Sequence, residues 1–302
     1  MTRKLLFALS SILLLAGCNK SKPAAPADAA ATSSPAPVKT YPIRGKIVSI
    51  HGSNVLLDHE AIPGFMEAMT MSYKLKDPSI VSELHPGDRI TGTLLVSKDP
   101  DGFNAVLLDQ IVVIAQAKPD YKPAVQYHVP QAGDEVPDFK LLNQANQTIH
   151  LAQFHGRVLL ITFIYTRCPL ADFCPRMSSN FAEVEKALAA DAALYPRTHL
   201  LSISFDPAYD TPKVLRSYGE AYISHLRKDD FAHWDFAAPR ENDLPALTQF
   251  FNVGVTPGEG QSFNHSLSTV LVGKDGKVAA WYPTNDWKPA EMIAQVKQAA
   301  SV

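Results

Sequence analysis

Val158-Leu159-Leu160-Ile161-Thr162-Phe163-Ile164-Tyr165-Thr166-Arg167-Cys168-Pro169-Leu170-Ala171-Asp172-Phe173-Cys174-Pro175-Arg176-Met177 is the stretch that decides the fold of the C-terminal half. Val158–Tyr165 is a continuous apolar run suited to a buried parallel strand, and Met177–Ala190 has helical spacing. Cys168 therefore follows a strand, and Cys174 precedes a helix whose first residues read as Pro175-Arg176-Met177. A thiol near a helix N-terminus feels the positive end of the backbone dipole, which favours its thiolate and eases both metal binding and disulfide exchange. Outward from this stretch the pattern repeats. His199–Phe205 reads as a strand and Pro212–Leu226 as a helix. Ser266–Val272 and Lys277–Tyr282, split by Gly273-Lys274-Asp275-Gly276, read as a hairpin, and Pro289–Ala300 as a closing helix. A mixed central sheet with helices on both faces follows, an α/β domain over residues 133–302.

The N-terminal half reads differently. From Tyr41 apolar and polar residues alternate, as in Ile43-Arg44-Gly45-Lys46-Ile47-Val48. Strand-like runs recur at Asn54–Asp58, Thr70–Leu75, Arg89–Val96 and Ala105–Ile114, without a convincing helix. This fits a small all-β, OB-like barrel over residues 41–116. Residues 117–132 contain several prolines and little periodicity and read as a linker. Two domains are consistent with 302 residues, which suffice for two cores.

At the start, Arg3 and Lys4 precede the apolar run Leu5–Leu15 and the small-residue site Ala16-Gly17-Cys18, the layout of a secretory signal. The run is little more than half the roughly 20 apolar residues of a membrane span. Leu15-Ala16-Gly17-Cys18 resembles the lipobox of bacterial lipoproteins, which implies cleavage before Cys18 and a lipid anchor on it. Residues 19–40 are rich in Ala, Pro, Ser and Lys and read as a disordered tether. The expectation is an exported protein, lipid-anchored to a membrane and facing the periplasm or the cell exterior. With 28 Lys+Arg against 30 Asp+Glu, nothing in the bulk charge favours nucleic acid. Of three cysteines, a lipidated Cys18 leaves Cys168 and Cys174 as the pair in which to seek chemistry. Taken alone, that pair could equally be a structural disulfide, and His265 an ordinary loop histidine.

Four motifs in order resemble the Sco/SenC family of cytochrome oxidase assembly factors. They are Gly133-Asp134-Glu135-Val136-Pro137-Asp138-Phe139, Thr166-Arg167-Cys168-Pro169 through Cys174-Pro175, Ser204-Phe205-Asp206-Pro207 with Asp210-Thr211-Pro212, and Phe263-Asn264-His265-Ser266. The resemblance implies a thioredoxin-like domain and a copper site of Cys168, Cys174 and His265. Soft thiolates favour Cu(I), and imidazole accommodates Cu(I) and Cu(II). The chain departs from the family at one place. Five residues, Pro169–Phe173, separate the cysteines where family members usually have three.

A second soft cluster lies in the barrel. Asp58-His59-Glu60-Ala61-Ile62-Pro63-Gly64-Phe65-Met66-Glu67-Ala68-Met69-Thr70-Met71 resembles the periplasmic copper-binding CusF-like domains, which implies His59, Met69 and Met71 as Cu(I) ligands. Those domains often cap the metal with a tryptophan at the position that Met66 holds here, so Met66 is a candidate fourth ligand. The plain alternative is three methionines filling a barrel core.

The resemblances together imply a copper chaperone that delivers to the CuA-bearing subunit of a cytochrome c oxidase, with a thiol reductant protein as a second partner. The alternatives are a periplasmic thiol-disulfide oxidoreductase cycling Cys168 and Cys174, and a copper buffer or resistance protein. Thiolate is a stronger donor than thioether, so copper is expected to run from barrel to thiolates, and a linker that is flexible would make that exchange intramolecular.

Overall fold

The computed structural model describes residues 38–301, apart from 123, 124, 126, 224–230 and 259. The signal, Cys18 and nearly all of the expected tether lie outside the described residues. Among the described residues no helix is long and apolar enough to cross a membrane.

Five strands, β1 (Lys39–His51), β2 (Asn54–His59), β3 (Met69–Leu75), β4 (Arg89–Lys98) and β5 (Asn104–Ala115), close a barrel in the order β1-β2-β3-β5-β4. Alternation along the strands sends Ile43, Ile47, Leu57, Ile90 and Leu94 inward, each essentially fully buried. Closure of a short sheet leaves no free edge, which a small barrel needs to stay soluble. Close packing is enforced at Gly45, where an added Cβ would sit 2.6 Å from the Asp58 carbonyl on the neighbouring strand.

The C-terminal half is thioredoxin-like. Its strands are β6 (Lys140–Asn143), β7 (Thr148–His150), β8 (Val158–Ile164), β9 (Thr198–Ser204), β10 (Trp234–Pro239), β13 (Thr269–Val272) and β14 (Val278–Tyr282), in the order β14-β13-β8-β9-β10-β6-β7. β8 runs parallel to β9, and β9 to β10. Every residue of β8 and β9 is buried, as two-sided cover demands. α1 (Cys174–Ala189) packs on α2 (Pro212–Ile223) and α4 (Pro289–Ser301) over one face. α3 (Leu244–Phe250) ends at Phe251, whose ring meets Phe163 of β8. A two-stranded ribbon of β11 (Val255–Pro257) and β12 (Phe263–His265) stands apart from the main sheet.

The two halves are docked against each other. The described residues of both halves fall in one compact unit. Asp99, beyond the end of β4, receives Arg176 of α1 at 2.7 Å and Lys288 at 3.0 Å, and the Arg176 guanidinium stacks on Phe103, 4.2 Å from the ring centroid. Asn104 Nδ2 donates to Asp172 at 2.6 Å, and Asn264 Nδ2 to the Ala68 carbonyl at 2.5 Å. The connecting segment is pinned at both ends. Lys46 of the barrel lies over the Tyr121 ring, and His128 stacks on Phe250 while its carbonyl accepts from Asn252.

Candidate metal centre

The end of β8, the start of α1 and the end of β12 meet at one point. Cys168 leaves the strand in a turn, with its N–H bonded to the Tyr165 carbonyl, and Cys174 is the first residue of α1. His265 closes β12. The sulfur and nitrogen atoms of Cys168, Cys174 and His265 all lie within 4.8 Å of one another. His265 Nε2 is 3.9 Å from the Cys168 sulfur and 3.7 Å from that of Cys174. Both thiols are free in this arrangement.

The imidazole is oriented by its other nitrogen. Nδ1 faces the Ser266 carbonyl at 3.0 Å; a carbonyl only accepts, so Nδ1 carries the proton and Nε2 turns its lone pair to the sulfurs. Tyr165, Phe173 and Phe205 surround the ring. Burial pushes the Tyr165 hydroxyl up to about 12, so it stays neutral beside the thiols. The two cysteines are unequal. Cys168 is half-buried, and its hydrogen bond with Cys174 pulls its thiol well down; burial pushes Cys174 up. Two sulfurs and one nitrogen converging from three elements, with a fixed tautomer, fit a soft, low-coordinate metal ion.

Asp206 and Asp210, from the third of the four motifs, hold the turn before Cys168. Asp210 accepts from the Thr166 N–H at 3.0 Å and from the Thr166 and Ser204 hydroxyls. Burial nonetheless raises its pKa against those bonds. Asp206 pairs with Arg167 at 2.6 Å, and Arg167 stacks on Tyr209, 4.0 Å from the ring centroid. These side chains position Thr166 and Arg167, and through them Cys168. Arg167 and Tyr209 were not singled out from sequence; the Arg next to the first cysteine was the available signal.

In the barrel, β2 and β3 place His59 opposite Met69 and Leu57 opposite Met71, with all four side chains buried. His59 repeats the arrangement of His265: Nδ1 donates to the carbonyl of the next residue, Glu60, at 2.7 Å. Burial lowers the His59 pKa, favouring the neutral ring. Its Nε2 is buried without a hydrogen-bond partner, an uncommon state for a native polar atom and one that a metal would relieve. Met66 is half-buried, and its sulfur accepts from the Tyr73 hydroxyl at 3.4 Å. Phe65 stacks on Tyr41.

Comparison with known proteins separates the halves in the same way. The SCO1/SenC family profile matches residues 128–301, and that of the copper binding periplasmic protein CusF matches residues 40–106. The SCO1 protein homolog of Bacillus subtilis is 30% identical over 172 residues, covering 56% of this chain and 84% of that protein. Among solved structures, a SCO1/SenC family lipoprotein from Bacillus anthracis is similar with a TM-score of 0.48 and 22% identity, over 55% of this chain and 95% of that one. BsSco, a member of the Sco family of cytochrome c oxidase assembly proteins in which a disulfide switch was identified, gives 0.47 and 28%, over 58% and 98%.

Proposed function

Because the chain belongs to the SCO1/SenC family, we propose that it is a copper chaperone of cytochrome c oxidase assembly, exported and held to a membrane by a lipid on Cys18. Copper is its cargo. Cys168, Cys174 and His265 hold the ion in the thioredoxin-like half, and His59, Met69 and Met71 hold Cu(I) in the barrel, with delivery to the CuA centre of the oxidase. The observation that carries this reading is the convergence of two thiols and one lone-pair nitrogen within 4.8 Å. Such a set binds Cu(I) strongly, yet its low coordination number leaves room for an incoming ligand from a client.

The test measures copper bound per chain and oxidase assembly in cells depleted of the protein. Replacement of His265 by Ala is expected to remove copper from the thiolate site while the chain stays folded, and to prevent rescue of CuA insertion. Unchanged copper binding in that variant would overturn the ligand set.

A second reading has one observation in its favour. Cys168 is half-exposed, whereas Cys174 is buried at the first position of α1, the division between an attacking and a resolving thiol. A thiol-disulfide oxidoreductase would use them so. Cys168 would attack a client disulfide, Cys174 would displace the reduced client, and an external dithiol would reduce the resulting Cys168–Cys174 bond. Under this reading His265→Ala retains thiol exchange with a CuA-type disulfide, so the same variant separates the two.

A further inference from the structure

The barrel has one weak seam. β4 and β5 pair along nearly their whole length, but the ladder between β3 and β5 consists of Lys74 with Leu107 and Leu75 with Leu108. Met69 and Met71 lie on β3 ahead of that ladder. A cavity of about 540 Å³ opens there. Met66, Met71 and Ala105 line its barrel side, and Leu170, Asp172 and Phe173 line the other. The last three belong to the loop that joins the two cysteines.

That loop is fastened over the seam. Asn104, the first residue of β5, binds the Asp172 carboxylate, and Asn285 donates to the Asp172 carbonyl at 2.7 Å. Alongside, the β11–β12 ribbon that carries His265 lies on β3. Asn264 bonds the Ala68 carbonyl, and Gly254 is so close that an added Cβ would sit 3.3 Å from Thr70. Phe173 lines the cavity and is also packed edge-on against His265, with ring centroids 5.5 Å apart. One buried side chain thus stands between the cavity and the Cys/Cys/His cluster.

The geometry points to this seam as a port through which Cu(I) passes from the barrel to the thiolate site without entering bulk water, with Met66 as the transit ligand and Phe173 as the gate. The inference rests on the copper reading above and gives the two additional loop residues, relative to the usual family spacing, a role. They let the loop reach the barrel. In the transfer, bonds from copper to His59 Nε2 and the thioethers break, and bonds to the two thiolates and His265 Nε2 form. Copper remains Cu(I), no electron moves, and any protons on the thiols leave to water. Thioether-to-thiolate exchange supplies the direction.

The full chain, with Cys168 and Cys174 oxidised to the disulfide, is loaded with one equivalent of Cu(I). A phosphine reductant is then added together with an excess of the Cu(I) chelator bicinchoninate. Copper arriving on the thiolates is followed by ultraviolet thiolate–copper absorption, and escaped copper by the chelator's colour. The expected result is a first-order transfer, independent of protein concentration, with little chelator colour. Met66→Leu slows it by roughly tenfold, equivalent to about 1.4 kcal/mol in the barrier, and Phe173→Trp slows it as well. Capture of most of the copper by chelator, a rate that scales with protein concentration, or a wild-type rate in Met66→Leu overturns the port. Failure of the oxidised chain to hold any Cu(I), while the reduced chain holds it, overturns both the port and the barrel site; interception after successful loading overturns the port alone.

Discussion

The barrel cluster and the thioredoxin-like cluster share one histidine device and differ in their sulfur. In each, Nδ1 is tied to the carbonyl of the following residue, Glu60 or Ser266, which frees Nε2. Around His59 the sulfurs are thioethers on a strand. Around His265 they are thiols, one in the turn after a strand and one at the start of a helix. A thioether neither ionises nor forms a disulfide, so the barrel site is indifferent to thiol redox state, and the other site is governed by it. The same orienting bond thus serves two sites of different responsiveness.

The largest expected effect breaks the comparison at its strong end. His265→Ala or Cys174→Ser lowers Cu(I) affinity of the thiolate site by more than the ~10–100-fold typical of an outer-shell change, and leaves barrel binding untouched, as read by competition titration of the full chain. If His59→Ala removes the same copper, the clusters are not independent. Next, oxidation of Cys168 and Cys174 lowers copper capacity by one equivalent, and mass spectrometry under non-denaturing conditions counts the ions; loss of all copper would mean that the barrel holds none.

Further down, Asp99→Ala tests whether the two regions are one body. It strands Arg176, which is 3% exposed, and breaking such a buried pair costs about 3–5 kcal/mol, measurable by denaturant unfolding. The double variant with Arg176→Met recovers most of it. The smallest effect is on pH. Desolvation opposes ionisation of Asp99, but hydrogen bonds from Lys288 and Arg176 outweigh it and hold its pKa at about 2, below the ordinary 3.8. A carboxylate lowered in this way contributes its full stability above the unfolded value and loses it as pH falls through the folded one. Wild type is therefore expected to lose its advantage over Asp99→Ala between about pH 4 and 2, and an advantage unchanged across that range would remove Asp99 from the account.

Much of this architecture was legible in the sequence, because the elements that make it are locally written. Val158–Tyr165 reads as a central strand since burial on both faces demands an unbroken apolar run, and the barrel strands show in their alternation. β10 was missed. Its run is interrupted by Asp235, which is tolerated only because His199, Asn143 and Gln144 bond it from two other segments. The short β6 and β7 carry too few residues for a period. At the sites, the residue types announced both clusters, but their surroundings were hidden. Asp99, Arg176 and Lys288 meet from three distant parts of the chain, and no local pattern records that. The prolines of residues 117–132 mark a linker, and Tyr121 and His128 anchor it through contacts that only the tertiary structure supplies.

The guanidinium of Arg176, lodged between Asp99 and Phe103, also bears on cooperativity. Two domains joined by a spacer commonly melt in separate steps. Here, unfolding the barrel alone would leave the arginine of α1 buried or newly solvated without its carboxylate, and unfolding the thioredoxin-like half alone would do the same to Asp99. Each partial state carries that penalty, and the fully folded and fully unfolded states do not. A calorimetric scan of the chain should therefore show a single heat-absorption peak, and the intermediates that would expose either half by itself are suppressed.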